Sequence, residues 1–178
     1  MRLFVAVALP DNIKEAIRIY QQAYTSEAIR FIPAENLHLT LHFIGDTPEN
    51  SVPDITEKLK VIAQRNKGFT LTFQETAPGP QLRSPRLIWT RFQEHPDFAH
   101  LATSLAQELD AALGAYGKFI PHITIARFRK DLPKPQNLAV LLEPVIPDLV
   151  VQKFSLWQSK LQSPHPVYSI LQEFSLQD

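Results

Sequence analysis

Apolar and polar positions change rhythm many times along the chain. Leu3 to Leu9 is a nearly continuous apolar run that reads as a strand from Arg2 to Leu9, stopped by Pro10, with Asp11 offering a helix N-cap. Ile13, Ala16, Ile17 and Tyr20 then recur at helical spacing, and so do Val52, Ile55, Leu59 and Ile62 after the turn at Pro48 to Ser51. Between these helices, Leu37 to Ile44 alternates: Leu37, Leu39, Leu41 and Phe43 are assigned to one face, and His38, Thr40 and His42 to the other. Gly45 and Asp46 end that strand. Phe69, Leu71 and Phe73 alternate with Thr70 and Thr72, Pro78 to Pro85 reads as a loop, and Arg86 to Phe92 as a further strand.

After residue 96 the order of elements repeats. Phe98, Leu101, Leu105, Leu109 and Ala112 predict a helix ending near Gly114 and Gly117. Phe119 to Phe128 predicts a strand carrying His122 and Thr124 on one face, as the earlier strand carries His38 and Thr40. A short helix is expected around Leu138 to Leu142, followed by strands over Leu149 to Trp157 and Val167 to Leu176. Short strands and separate helices without regular crossover units predict an α+β fold with mainly antiparallel sheets, and a weak lobe boundary near 90–96.

Composition narrows the chemistry. The 178 residues suffice for one compact domain, residues 1–178, or two small lobes. Eighteen Lys and Arg balance eighteen Asp and Glu, which argues against coating long nucleic acid by bulk charge. Any anion site must therefore be local. The lack of cysteine excludes a disulfide scaffold, a thiolate metal site and a Cys nucleophile. The first apolar run is too short to span a bilayer, so a soluble cytoplasmic protein is expected.

One sequence pattern carries chemistry. Leu37-His38-Leu39-Thr40-Leu41 and Pro121-His122-Ile123-Thr124-Ile125 are two copies of an alternating His-x-Thr motif, starting 84 positions apart. With six His and ten Thr in the chain, only about 0.3 His-x-Thr matches arise by chance. Period two aims the imidazole and hydroxyl of each copy at one face, about 6.6 Å apart along the strand. Two such strands in opposition would place one imidazole to take a proton from water and the other to give one to a leaving oxygen, with two hydroxyls holding a tetrahedral anion. A displacement at phosphorus asks for that set of groups. His42 lies about 13 Å from His38 along an extended strand, so the two cannot share one zinc. His95, His100 and His165 are expected to be solvated, and Trp89 and Phe92 to be core. Arg83, Arg86, Arg127, Arg129 and Lys130 are candidates for steering an anion or simply a solvated rim.

The two motifs resemble those of the two-histidine phosphoesterase superfamily, and the whole chain is similar to its RNA 2′,3′-cyclic phosphodiesterases. The likeness extends to Leu3-Phe4-Val5-Ala6-Val7-Ala8-Leu9-Pro10, to Asn36 through Gly45, to Pro121 through Arg127, to Arg83, Pro85, Arg86, Leu87 and Trp89, and to Ser159, Leu161 and Tyr168. The loop Ser163-Pro164-His165-Pro166 departs from it in lacking a glycine, and Phe31 stands where Trp is common. The resemblance implies a bilobal, duplicated fold with two mainly antiparallel sheets flanked by helices around a central cleft. It also implies metal-independent hydrolysis of an RNA 2′,3′-cyclic phosphate to a 2′-phosphomonoester, without a cofactor. His38 is then the proton donor and His122 the acceptor. Thr40 and Thr124 hold the phosphate, and Arg127, Phe4, Tyr168 and Arg86 are substrate-binding candidates. A monomer acting on an RNA 3′ end or a small cyclic nucleotide is expected, with no membrane partner. The alternatives are a phosphodiesterase for small substrates such as ADP-ribose cyclic phosphate, and a binding module that recognises RNA ends without turnover. Reversal of the reaction would be a 2′-5′ ligation.

Overall fold

The computed structural model describes residues 1–81, 83–109, 119–142, 146–163 and 165–178. The first strand, β1 (Arg2–Ala8), leads into α1 (Asp11–Gln22), whose buried stripe is Ile13, Ala16, Ile17 and Tyr20 as the spacing predicts. Pro10 occupies the N-cap position instead of Asp11. Asp11 sits in the first turn, where its carboxylate faces the positive end of the helix dipole. A short strand, β2 (Ile29–Phe31), follows, which sequence patterning missed because three residues are too few to show a period. Next come β3 (His38–Asp46) and α2 (Val52–Arg65).

The Phe69 to Phe73 alternation divides at Thr72 into β4 (Phe69–Leu71) and β5 (Phe73–Gly79), which join different sheets. Strand β5 runs through Pro78, inside the stretch expected to be a loop. It is an edge strand of the large sheet, and an edge tolerates a residue without an N–H. Then follow β6 (Leu87–Phe92), α3 (Pro96–Leu109) and β7 (His122–Phe128). The predicted end of α3 near Gly114 and Gly117 lies outside the described residues. Residues 138–142 form no helix: Leu141 exchanges both backbone hydrogen bonds with Thr76 of β5, and the Tyr24 hydroxyl donates to the Ala139 carbonyl at 2.7 Å. The last run of strands is β8 (Leu149–Val151), β9 (Lys153–Lys160) and β10 (Val167–Ser175).

Eight strands form one antiparallel sheet in the order β10-β9-β1-β3-β7-β6-β5, with β2 paired to part of β7; β4 and β8 form a two-stranded ribbon. The α+β antiparallel expectation holds, with a refinement in how the two half-sheets meet. Strands β3 and β7 share a single paired position, Leu39 opposite Ile123, so the halves are joined at one point and diverge on either side of it. The halves are also interleaved in sequence: β9 and β10 lie with β1, while β5 and β6 lie with β7. A cut near 90–96 would separate β6 from β7, its hydrogen-bonded neighbour.

One face of the sheet carries the core. Leu3, Val5, Val7, Leu39, Leu41, Ile88, Ile123 and Ile125 pack with the buried faces of α1, α2 and α3. The alternate positions of β1, Phe4 and Ala6, belong to a separate small cluster with Trp157, against which Tyr168 packs. This second cluster floors the open face. Among the described residues no helix is long and apolar enough to cross a membrane.

Candidate active site

Extending the Leu39–Ile123 pairing by one residue in each direction sets His38 across from Thr124 and Thr40 across from His122. The two motifs are thus related by a local twofold centred on that pair. Since Leu39 and Ile123 are fully buried in the core, period two turns all four polar side chains to the opposite face. There they line a cleft of about 510 Å³ together with Phe4, Phe43, Arg127 and Tyr168.

Each motif is followed by a bulge at the same place. Across from β1, Thr40 pairs with Ala6 but His42 with Val5, so Leu41 is an extra residue; across from β6, Thr124 pairs with Trp89 but Ala126 with Ile88, so Ile125 is extra. A bulge reverses the facing of everything after it. His42 is therefore buried in the core and does not share a face with His38, correcting the strict alternation expected from the sequence. The same reversal brings Phe43 and Arg127 onto the cleft face.

The histidines are held alike. His38 Nδ1 lies 2.7 Å from the Asn36 carbonyl, and His122 Nδ1 lies 2.9 Å from the Ile120 carbonyl. A carbonyl can only accept, so both Nδ1 atoms carry hydrogen and Nε2 is the nitrogen left for chemistry. Burial holds both imidazoles below the ordinary histidine range; the carbonyl bonds oppose this. Positive neighbours lower both further, His122 and Arg127 acting on His38, and Arg127 and Arg91 on His122.

Their surroundings differ. His38 sits among aromatic rings, with centroids 5.0 Å from Phe4, 5.9 Å from Trp157 and 5.4 Å from Tyr168, the last edge-on. Trp157 is fixed by its indole N–H donating to the Ala6 carbonyl at 3.3 Å. His122 meets Trp89 edge-on at 5.0 Å. Trp89 is buried, as expected, but as the wall of a histidine and not as a base-stacking surface.

The remaining expectations separate. Phe4, Tyr168 and Arg127 line the cleft; Arg86 does not. Arg86 precedes β6, where its N–H donates to the Gly79 carbonyl at 2.8 Å and its carbonyl accepts from Phe128 N–H at 3.1 Å. Arg83 lines a different pocket with Lys134, and Arg129 is engaged by Asp131 at 2.7 Å. Of the three histidines expected to be solvated, His165 lines the cleft, His95 stacks on Phe69 with centroids 5.3 Å apart, and His100 is exposed. Sequence reasoning missed Arg2 and Arg30. Both line the cleft, and Arg30 stands opposite Arg127 in the β2–β7 register. Among the described residues three arginines and no carboxylate line this cleft, so a chain of zero net charge presents a locally cationic site. Asn36 was also missed: its side-chain amide donates to the Pro166 carbonyl at 2.8 Å and ties the β9–β10 connection to the mouth of the cleft. Among the described residues no three His, Cys, Asp or Glu side chains converge as a metal-binding set.

Two facing His-x-Thr strands on the open side of an antiparallel sheet define a two-histidine phosphoesterase. The model of the 2'-5' RNA ligase superfamily matches residues 9–162, and the chain belongs to that superfamily. A relative from Thermus thermophilus, named RNA 2',3'-cyclic phosphodiesterase, is 32% identical over 185 residues, covering 99% of this chain and 90% of that protein. The crystal structure of TT0787, also from Thermus thermophilus, matches with a TM-score of 0.86 at 31% identity, covering 99% of this chain and 98% of that one. Escherichia coli LigT complexed with 3'-AMP matches with a TM-score of 0.80 at 29% identity and the same coverage.

Proposed function

We propose that this chain hydrolyses the 2′,3′-cyclic phosphate at an RNA 3′ end to a 2′-phosphomonoester, using His122 as base and His38 as acid. The observation that carries this reading is the convergence of both motifs on one cleft beside the Leu39–Ile123 pair, with both Nδ1 atoms anchored on backbone carbonyls and both Nε2 atoms left for chemistry. In the reaction, His122 Nε2 takes a proton from water as its oxygen attacks phosphorus. The bond from phosphorus to the 3′ oxygen breaks, and protonated His38 delivers a proton to that oxygen. Thr40 and Thr124 hydroxyls donate to the non-bridging oxygens, and Arg127 balances their negative charge.

Phe43 and Leu161, 70% and 80% exposed, give the cleft an apolar ledge suited to a nucleobase. Both an RNA end and a small cyclic nucleotide carry one. The name of the Thermus thermophilus relative and the 3'-AMP complex of LigT favour a nucleotide ligand. The cleft takes lining residues from Arg2 through Tyr168, which supports reading residues 1–178 as one domain whose halves each supply one motif. Attack by a 5′-hydroxyl on the same phosphate, in place of water, would give 2′-5′ ligation by the same groups.

The test is to incubate chelator-treated protein with an oligoribonucleotide ending in a 2′,3′-cyclic phosphate and identify the new end. A 2′-phosphate is expected. Lack of product, or undiminished turnover by both His38→Ala and His122→Ala, rejects the reading. A cyclic mononucleotide run in parallel measures how much the rest of the RNA contributes.

A further inference from the structure

The two motifs are chemically equivalent, yet acid–base catalysis needs one neutral imidazole and one protonated. The cross-strand neighbours of the two differ. His38 stands opposite Ala8 of β1, whereas His122 stands opposite Arg91 of β6. Opposed residues in an antiparallel pair project from the same face, so Arg91 is a fixed cation beside His122, with only a methyl at the corresponding place beside His38.

Arg91 is held firmly. Its Nη1 donates to Glu75 Oε1 at 2.8 Å, and Glu75 is itself opposite Arg91 in the β5–β6 register. Carboxylate, guanidinium and imidazole therefore follow one another on three adjacent strands. The guanidinium carbon lies 5.4 Å above the Trp89 ring, the ring that also meets His122 edge-on. The side chains of Arg91 and Glu75 are only 27% and 21% exposed, so solvent and salt screen their charges weakly. One bond to one carboxylate oxygen leaves the Arg91 Nε buried without a hydrogen-bond partner among the described residues. Around His122 the facing charged groups are Arg127 from β7 itself and Arg91 from β6, with Glu75 on β5 acting through Arg91; His38 on β3 also faces it, and there the positive neighbours are His122 and Arg127.

We infer that Arg91 is a positioning residue that helps to keep His122 neutral: its guanidinium, tethered by Glu75, disfavours a positive charge on that imidazole. The inference rests on the assignment of His122 as base and His38 as acid. It supplies a physical reason for the neutral state that a base requires, which the paired motifs alone do not contain.

The test is an NMR titration of the six imidazoles in the full chain and in Arg91→Met, Arg91→Lys and Glu75→Gln, with the pH dependence of kcat/KM measured beside it. Methionine keeps an apolar stem and removes the charge, and should raise the His122 midpoint by about half to one pH unit. Arg91→Lys should restore it toward the original value. Glu75→Gln removes the neutralising carboxylate and should move His122 the other way, downward. The acidic limb of kcat/KM should follow His122 in each variant. Loss of packing alone would lower the rate at every pH without opposite movements of one midpoint. An unmoved His122 in Arg91→Met, or movement in the same direction in Arg91→Met and Glu75→Gln, overturns the inference. Should Arg91→Met lose its near-UV circular dichroism, Glu75→Gln decides alone: a downward midpoint supports the inference and an unmoved one overturns it. The midpoints are read without turnover, so failure to hydrolyse cyclic phosphate would reject the function and leave this result standing.

Discussion

Leu39 and Ile123 are directly opposed across the seam between the two half-sheets, at the one position where β3 and β7 pair. Both are fully buried on the core face, and the His and Thr on either side of each are thereby committed to the cleft. The site's accuracy depends on this join.

Replacing either histidine by alanine should lower kcat/KM on cyclic-ended RNA by about 10²- to 10⁴-fold, the usual worth of a positioned acid or base. Both imidazoles lie below the ordinary histidine range. The bell-shaped profile of kcat/KM should therefore peak on the acidic side of about pH 6.5. A stopped assay from about pH 4.5 to about 8.5 brackets that value and checks this, and a plateau extending through about pH 8 contradicts it.

The same displacement links to stability. An imidazole whose folded value is depressed binds its proton more readily when unfolded, so its contribution is present above the unfolded value of about 6.5 and is lost as pH falls toward the folded value. Thermal unfolding of the wild type should weaken through this window more steeply than that of a His38→Asn, His122→Asn double variant. Parallel curves below about pH 6.5 would refute the linkage.

Thr40→Val and Thr124→Val keep the side-chain shape and remove a hydroxyl donor to the phosphate. Each should cost about 10²- to 10³-fold in kcat, the range for loss of one preorganised donor. The local twofold predicts comparable losses for the two, with unfolding midpoints close to wild type.

Gly79 is a contact position. A Cβ built there would lie 2.6 Å from two atoms of the Trp89 indole, so the ring would have to move from its place against His122. Gly79→Ala should destabilise the fold by about 1–3 kcal/mol, as overpacking does, and should also reduce kcat. Denaturant melts and single-turnover rates separate the two effects.

Asn36 acts twice: its carbonyl accepts from His38 Nδ1, and its side-chain amide donates to the Pro166 carbonyl. Asn36→Ala removes only the second bond. A loss of about 1 kcal/mol in stability is expected, with KM for a nucleotide rising several-fold more than kcat falls, because the loop at the cleft mouth loosens. Equal effects on KM and kcat would show that the loop does not contact substrate.

The order of elements and the chemistry were legible in the sequence because each rests on local rules. Helical stripes such as Ile13-Ala16-Ile17-Tyr20 and the alternation of His38-Leu39-Thr40 read directly as buried and exposed faces. Short elements were not legible. Three-residue β2 is defined by partners nearly a hundred positions away, and residues 138–142 are held extended by Thr76 and Tyr24. Arg2 and Arg30 carry no motif, and only their shared cleft marks them.

What the sequence determined by itself was the doublet: two His-x-Thr strands with both polar side chains on one face, since period two is a property of the extended chain. Tertiary structure decided everything that depends on a neighbouring strand. The single Leu39–Ile123 contact crosses the motifs, and the bulges at Leu41 and Ile125 send His42 inward and bring Phe43 and Arg127 to the cleft. Tertiary structure also gives two identical histidines different cross-strand partners, Ala8 for His38 and Arg91 for His122. Register and bulges are set by pairing between distant segments, and no local pattern of apolar and polar residues encodes them.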